Sequence, residues 1–238
     1  MIYVISDIHG CFEEFKELLE EIRFSDKDEM YILGNIVDYG PQPMELIQDL
    51  MMRDNVYPVA GNHDYMALTV LSKVQQKLKD PDHAEPMGKA DVKLYQAWTA
   101  DGGDVTAKEF LKIKDEELRD DILDYLSEAA VYYEAQAGGK HFIMTHGDLP
   151  DRQKHPDLSD YEVTDTAFRG ADYNKQYFKK EYLVTGHTPT KKIRTDGKDL
   201  VYEGHHHVAI NCDLINGGKL AAYCLDTGET IYVSGERD

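Results

Sequence analysis

The chain has 238 residues, 42% of them hydrophobic, and a formal net charge of −19. This hydrophobic content excludes a disordered chain, and the length allows one sizeable core. Proteins that bind a nucleic-acid duplex normally carry a basic face, so the acidity argues against a nucleic-acid partner. No apolar run approaches the ~18 residues of a membrane span, and no signal region is visible, so we expect no membrane partner. Three cysteines without CxxC spacing favour reduced thiols and a cytoplasmic location.

The first 64 residues alternate short apolar strands with amphipathic helices. We predict strands at 2–5, 30–33 and 56–60. Apolar residues at helical spacing predict helices at 11–23 and 42–53. A polar loop follows each strand. Because ligand sites in open α/β sheets lie beyond the carboxyl ends of strands, these loops should meet.

The pattern changes after residue 64. Helical segments from about 65 to 128 predict an inserted cap, because no flexible linker bounds them, and we expect one domain over 1–238. A hairpin with strands at 129–134 and 141–145 follows, and then a strand at 182–185. The remaining pattern predicts an antiparallel run with strands at 199–203, 207–211, 219–225 and 230–234.

Polar side chains with metal-binding chemistry follow several of these strands. Asp7 and His9 stand two residues apart, so in an extended chain both point the same way and can reach one divalent metal. For this pair alone, a loop carboxylate bonded to a loop histidine is the alternative. Loops of this kind lie at 6–10, 34–38, 61–64, 146–148 and 186–188.

The order and spacing of the five loops resemble the metallophosphoesterase superfamily, the calcineurin-like phosphatases, and within it the PPP-type branch. Motifs of that branch read GDxHG, GDxxDRG, GNH(E/D), a strand-end His and GH(T). Bacterial and phage-type protein phosphatases and symmetrical dinucleoside tetraphosphatases share this layout. Trp98 and the Gly102-Gly103 pair resemble the cap of those enzymes. The resemblance implies an α/β fold: a four-layer α/β/β/α sandwich of two mixed sheets with a helical cap insertion.

The resemblance also implies two divalent metal ions. Manganese is the first choice, and iron or zinc also suits nitrogen and oxygen ligands. Asp7 and His9 would bind the first ion, and position 35 would bridge both. A hydroxide held between the ions would attack phosphorus. The implied ligands of the second ion are Asn62, His146 and His187.

Proton transfer and phosphate binding are implied at four further positions. His63 would protonate the leaving group, and Asp38 would orient its ring, although Asp38 could instead cap the following helix. Arg169 would contact the substrate phosphate, with an ordinary surface arginine as the alternative. Tyr39 stands where the family motif has arginine, and it can donate one hydrogen bond but no bidentate charged pair.

Asn35 and Ser6 depart from the family pattern, and Asp148 and a run of three histidines lie outside its motifs. Asn35 replaces the bridging aspartate, and an amide brings only a dipole between two cations ~4 Å apart, so we expect weaker occupancy of one metal site. We hypothesise that Asp148 compensates by approaching the metals. Ser6 replaces a glycine and should matter little. The His205-His206-His207 run predicts a solvated turn entering a strand, because neighbouring strand residues face opposite sides.

We therefore expect metal-dependent hydrolysis of phosphate monoesters. The partner would be a protein phosphoserine or phosphothreonine, or a small phosphoester. The first alternative is hydrolysis of dinucleoside polyphosphates on the same centre. The second is a non-catalytic module that binds phosphate or a partner, because Asn35 and Tyr39 replace the family's carboxylate and arginine.

Overall fold

A computed structural model provides the structure of the chain and describes residues 1–83, 85–150 and 157–235. Short β-branched and aromatic runs form the strands, and amphipathic runs form the helices. The strands are β1 (Ile2–Ile5), β2 (Glu29–Leu33), β3 (Val56–Val59), β4 (Tyr132–Ala137), β5 (Lys140–Thr145), β6 (Tyr182–Thr185), β7 (Tyr202–Gly204), β8 (His207–Ala209), β9 (Lys219–Cys224) and β10 (Thr230–Ser234). The helices are α1 (Phe12–Glu21), α2 (Pro43–Met51), α3 (Asn62–Lys79), α4 (Lys89–Trp98), α5 (Asp104–Lys112), α6 (Glu116–Ser127) and α7 (Val163–Thr166).

Over the described residues, the strands pair into two five-stranded mixed sheets, ordered β10-β9-β1-β2-β3 and β4-β5-β6-β8-β7. In the first sheet β1, β2 and β3 are parallel, and β9 and β10 add antiparallel pairs. In the second sheet β5, β6 and β8 are parallel, and the edge strands β4 and β7 are antiparallel to them. Two mixed sheets with flanking helices confirm the α/β sandwich expected from the sequence.

Alternation along the strands separates two apolar layers. Val4 and Leu33 pack in one cluster with Met144 of β5, between the two sheets. Their neighbours Ile5 and Ile32 belong to the other cluster, which includes buried residues of α1 and α2. Because successive strand residues face opposite sides, each central strand of the first sheet supplies both layers. This packing holds the carboxyl ends of β1, β2 and β3 side by side.

The region predicted as a cap contains α3, α4, α5 and α6, which lie between β3 and β4 in the chain. A π-helical turn at Thr99–Gly103 joins α4 to α5, and Trp98 before it is fully buried. Gly102 has a φ of +83°, and a Cβ there would lie 2.6 Å from the Tyr39 ring. The cap is therefore packed directly on the loop after β2. The assignment of the whole chain to one domain stays a prediction.

Two strand predictions need correction. The last four strands do not form one antiparallel run, because β7 and β8 belong to the second sheet and β9 and β10 to the first. A 3₁₀ turn at Leu214–Asn216 separates the two pairs, and alternation alone does not indicate to which sheet a strand belongs. The predicted strand at 129–134 begins later, at Tyr132. Among the described residues, no helix has the length and apolar character needed to cross a membrane.

Candidate active site

The loop after β1 is fastened to the loop after β2 by backbone hydrogen bonds. The Asp7 N–H donates to the Gly34 carbonyl at 3.0 Å, and the His9 N–H donates to the Asn35 carbonyl at 2.9 Å. Asp7, His9 and Asn35 all have φ between +51° and +55°. Left-handed backbone is uncommon for residues other than glycine and concentrates at functional sites. The two loops therefore hold their polar side chains in a strained, closely matched arrangement.

Asp64 ties the loop after β2 to the start of α3. Its buried carboxylate accepts backbone N–H bonds from Asn35 at 2.7 Å, Ile36 at 2.8 Å and Gly61 at 3.0 Å. Burial raises the pKa of Asp64 to about 6, against the lowering effect of these hydrogen bonds. We did not predict this role, although the spacing from Gly61 to Asp64 is that of a helix capping box.

The side chains of Asn62, His146 and His187 converge on one point. The Nδ1–H of His146 donates to the Leu33 carbonyl at 2.6 Å, so its Nε2 carries the lone pair. That Nε2 lies 3.1 Å from the Asn62 Oδ1 and 3.2 Å from the His187 Nδ1. Burial lowers the pKa of His146 to about 4 and also lowers that of His187. Neutral imidazoles and an amide oxygen form a donor set for a divalent ion.

Asp7 and His9 face the same centre from the loop after β1. The His9 Nδ1–H donates to the Val37 carbonyl at 2.9 Å, which leaves the Nε2 lone pair 3.9 Å from the Asp7 Oδ1. Burial lowers the pKa of His9 to about 3, so the ring is neutral at neutral pH. The two side chains share one face of the site, but through left-handed backbone at both residues and not through the extended chain predicted from the sequence.

The Asn35 side chain reaches into the centre with its nitrogen. Its Oδ1 accepts the His63 backbone N–H at 3.1 Å, and its Nδ2 donates to the Asp7 Oδ1 at 3.0 Å. The Ser6 hydroxyl, expected to matter little, donates to the other Asp7 oxygen. Ser6 and Asn35, two of the departures from the family motif, thus contact the same carboxylate.

The donor set fits one metal ion better than a bridged pair. Among the residues the structure describes, no three His, Cys, Asp or Glu side chains form a group that could hold a metal. The candidate metal ligands form two groups. The larger group is His146, His187 and Asn62, and the smaller group is Asp7 and His9. An amide nitrogen offers no lone pair to a cation, so Asn35 cannot bridge them in this orientation.

His63 and Asp38 form a buried pair beside this centre. The His63 Nδ1 lies 2.7 Å from the Asp38 Oδ2, and its Nε2 remains for a substrate. Asp38 also accepts the Trp98 indole N–H and the Thr106 hydroxyl, each at 2.7 Å. Burial lowers the pKa of His63, but the Asp38 hydrogen bond and charge outweigh it, with a smaller contribution from Asp101, and the pKa is raised. Asp38 therefore contacts the histidine ring, and does not cap α2, which begins at Pro43.

Tyr39 is partly exposed and bonded to the cap. Its hydroxyl donates to Asp101, which lies in the π-helical turn. The Asp101 Oδ2 lies 4.0 Å from the His63 Nε2. We did not predict this carboxylate, and only its place next to two glycines in the cap could have indicated it. Where the family motif has an arginine, the site therefore presents a tyrosine and a carboxylate.

Arg169 lies at the rim of the site with an exposed side chain. Its carbonyl accepts the Asp148 N–H at 2.8 Å, which places it beside the loop that carries His146. Within the described ranges, its guanidinium has no carboxylate partner. The Asp148 Oδ1 accepts the Leu149 N–H at 2.9 Å and the Tyr177 hydroxyl, so that oxygen is already engaged. The compensating role suggested for Asp148 stays a prediction.

The three consecutive histidines do not converge on one point. His205 and His206 form a turn with φ of +54° and +55°. His207 enters β8, is 1% exposed and places its Nε2 2.9 Å from the Thr185 hydroxyl. Its ring stacks on Tyr173 with centroids 4.8 Å apart. The expected turn into a strand is present, and His207 belongs to the core.

Two adjoining cavities open at the site. The smaller, of about 150 Å³, lies over the metal-type side chains, including Asp7, Asn62 and His187. The larger, of about 600 Å³, shares Tyr39, Ile215 and Asn216 with it. No lysine or arginine of the described chain lines the larger cavity. Its other lining residues are Cys11, Glu13, Glu14, Gly40, Pro41 and Gln42.

A two-sheet sandwich with histidine, aspartate and asparagine at its strand ends defines a metallophosphoesterase. The family model for calcineurin-like phosphoesterases matches residues 1–209 of the chain. The chain belongs to the calcineurin-like phosphoesterase family, as the motif order indicated. Members of such a family use divalent metal ions.

Three proteins illustrate what the chain is similar to. A symmetrical bis(5'-nucleosyl)-tetraphosphatase of Buchnera aphidicola is 42% identical over 80 residues, 33% of this chain and 29% of that relative. The matched segment thus spans about a third of the relative's length. A solved structure assigned provisionally as a diadenosine tetraphosphatase has a TM-score of 0.64 and 20% identity, covering 100% of this chain and 94% of that one. A cold-active protein-tyrosine phosphatase of a Shewanella species has a TM-score of 0.57 and 15% identity, covering 100% and 79%.

Proposed function

We propose that the protein hydrolyses dinucleoside polyphosphates in a reaction that requires a divalent metal ion. The observation that carries the proposal is the 600 Å³ cavity that adjoins the proposed catalytic loops and has no basic residue among the described residues that line it. A dinucleoside polyphosphate carries an uncharged nucleoside at each end of its phosphate chain, and such a nucleoside needs a space of this kind beside the metal-type side chains. The name of the Buchnera relative supports the same substrate class.

The catalytic residues have separate tasks. A divalent ion, with manganese as our first choice and iron or zinc as alternatives, supplies positive charge for the phosphoryl oxygens and activates water. His63 donates a proton from Nε2 to the leaving oxygen, because Asp38 holds its Nδ1 and raises its pKa. Arg169, with no carboxylate partner among the described residues, extends to the phosphate chain.

The two cavities divide the substrate between them. The phosphate chain lies over Asn62 and His187, in the 150 Å³ space. A nucleoside enters the larger cavity, where the Tyr39 ring and Ile215 offer apolar contact. The carboxylates of Glu13 and Glu14 repel phosphate from that cavity and tolerate a neutral base and sugar.

The test is hydrolysis with Mn²⁺ of diadenosine tetraphosphate, a phosphoserine peptide and p-nitrophenyl phosphate, with products separated by chromatography. We expect kcat/KM for the dinucleotide to exceed that for the peptide by about tenfold or more, and EDTA to abolish turnover. His63→Asn is the matched control, because it removes the proton donor and leaves the metal-type side chains in place.

Other outcomes would redirect the proposal. Preference for the phosphopeptide would favour the protein phosphatase function, which the sequence placed first. Tight binding of the dinucleotide without turnover of any substrate would favour the non-catalytic module. The cytoplasmic location expected from the cysteines stays a prediction, and all three are buried as thiols.

A further inference from the structure

We propose that the centre binds one divalent ion, at Asn62, His146 and His187, and that Asp7 joins the surrounding loops by hydrogen bonds. The family layout would instead place a second ion at Asp7 and His9, bridged to the first through position 35. Two departures from the family motif, Ser6 and Asn35, both donate to Asp7, and Asn35 stands in place of the bridging carboxylate.

The orientation of the Asn35 amide is set by a group that can only donate. The His63 backbone N–H lies 3.1 Å from the Asn35 Oδ1, so the oxygen must be on that side. The Nδ2 then points at the Asp7 Oδ1, 3.0 Å away. With the amide reversed, the Asn35 Nδ2 would face the His63 backbone N–H, and the Asn35 Oδ1 would face the Asp7 Oδ1. A nitrogen donor therefore occupies the place of a bridging oxygen.

The Asp7 carboxylate is already supplied with donors from three parts of the chain. Its Oδ1 accepts from Asn35, and its Oδ2 accepts from the Ser6 hydroxyl and from the His187 N–H at 3.0 Å. A carboxylate has about four lone-pair sites, so most of the capacity of Asp7 is used. Asp7 is 3% exposed, which leaves little room for solvent donors to exchange with these. An ion bound here would have to displace a hydrogen bond.

On the opposite side of the centre, the facing atoms of Asn62 and His146 are both acceptors. The His146 Nε2 faces the Asn62 Oδ1 at 3.1 Å, and neither atom carries a hydrogen in this arrangement. Two acceptors at this distance repel each other unless a cation lies between them and the His187 ring. Asn62, His146 and His187 thus form the half of the centre that is organised for a positive charge.

The removed carboxylate also changes the balance of charge. Two dications ~4 Å apart repel strongly, and a bridging carboxylate would have offset part of that repulsion. Among the candidate ligands of this chain Asp7 is the one carboxylate, because position 35 is an amide and the rest are histidines and Asn62. The balance of charge therefore favours one bound ion over two.

Metal content measured without substrate tests the proposal. The full chain is loaded with Mn²⁺, freed of excess metal by gel filtration, and examined by elemental analysis and electron paramagnetic resonance. We expect about one Mn²⁺ per chain, with the hyperfine spectrum of isolated ions. His146→Ala should lose most of this ion, whereas His9→Ala should retain it.

Asn35→Asp supplies the second arm. Its new oxygen can accept a cation, so we expect a second Mn²⁺ and the exchange-coupled spectrum of a metal pair. Asn174→Asp is the matched control, because it adds the same charge at an exposed position. Circular dichroism of each variant checks that it is folded.

Three results would overturn the proposal: two coupled ions in the unchanged chain, loss of the ion in His9→Ala with retention in His146→Ala, or no second ion in folded Asn35→Asp. The proposal uses the same site as the proposed function. Because the measurement contains no substrate, a failed hydrolysis assay leaves it standing, and a failed metal count leaves the substrate assay standing.

Discussion

Trp98 donates its indole N–H to the Asp38 Oδ2 over 2.7 Å, and the same oxygen lies 2.7 Å from the His63 Nδ1. The two residues are 60 positions apart in the chain. The helical cap therefore contributes to the proposed catalytic arrangement, because it supplies a donor that orients the carboxylate behind the proposed proton donor. Thr106, also in the cap, secures the other oxygen of Asp38.

Trp98→Phe should lower kcat about fivefold to tenfold while KM changes little, because it removes a hydrogen bond to Asp38 and keeps most of the ring packing. His63→Asn should cost about 10²–10⁴ in kcat, because it removes the proton donor itself. Both values come from steady-state hydrolysis. Tyr95→Phe, an exposed ring on the same helix, is the control. An unchanged kcat in folded Trp98→Phe would exclude the positioning role.

Asp64→Ala should destabilise the chain by about 3 kcal/mol, because it leaves several buried backbone N–H groups without an acceptor. The affected donors include those of Asn35, Ile36 and Gly61. Urea denaturation followed by circular dichroism measures the change. Asp82→Ala, at an exposed loop position, should lie within about 0.5 kcal/mol of the unchanged chain. Equal stabilities for the two variants would contradict this prediction.

Asp101→Asn should lower KM for the dinucleotide about twofold to fivefold at low salt, because it removes a negative charge at the entrance for phosphate. The Asp101 carboxylate lies 4.0 Å from the His63 Nε2, where the leaving oxygen would approach. The difference should shrink as ionic strength rises, since the group is exposed. Asp124→Asn, on an exposed position of α6, controls for net charge. A raised KM would instead indicate that Asp101 helps to bind the substrate.

His207 should make the chain less stable in mild acid. Burial lowers its pKa from 6.5 to about 4, so the folded state resists the proton that the unfolded state takes up. Its contribution is fully present above pH 6.5 and is lost as pH falls toward 4, to a limit of about 3 kcal/mol.

Urea denaturation at several pH values compares the unchanged chain with His207→Phe, which keeps a ring stacked on Tyr173. The difference in free energy of unfolding should grow in favour of the variant between pH 6.5 and 4. His205→Asn, which removes an exposed imidazole at a φ of +54°, should show no such trend. Parallel curves for His207→Phe and the unchanged chain would contradict the assignment.

Local chemistry made the strand-end loops predictable. His146 follows β5 of the second sheet, and only the family resemblance implied its place in the site. Asp7, His9 and Asn62 follow β1 and β3 of the first sheet, whose carboxyl ends lie at one edge, so their convergence follows from the pattern of strands and loops alone. The partnership of Trp98 with Asp38 does not, because it depends on how the cap packs over a distant loop. The direction of the Asn35 amide is likewise decided by the His63 backbone, and the sheet that receives β9 and β10 is decided by packing.

Trp98 is the sole tryptophan of the chain, and its indole nitrogen is bonded to the proposed catalytic aspartate. Indole emission responds to the polarity and hydrogen bonding around that nitrogen. The tryptophan fluorescence of the unmodified protein therefore reports on the surroundings of this carboxylate, without a dye and without a second tryptophan that contributes to the signal. Substrate entry and binding of the metal could each be timed in a stopped-flow instrument through the residue that bonds the cap to Asp38.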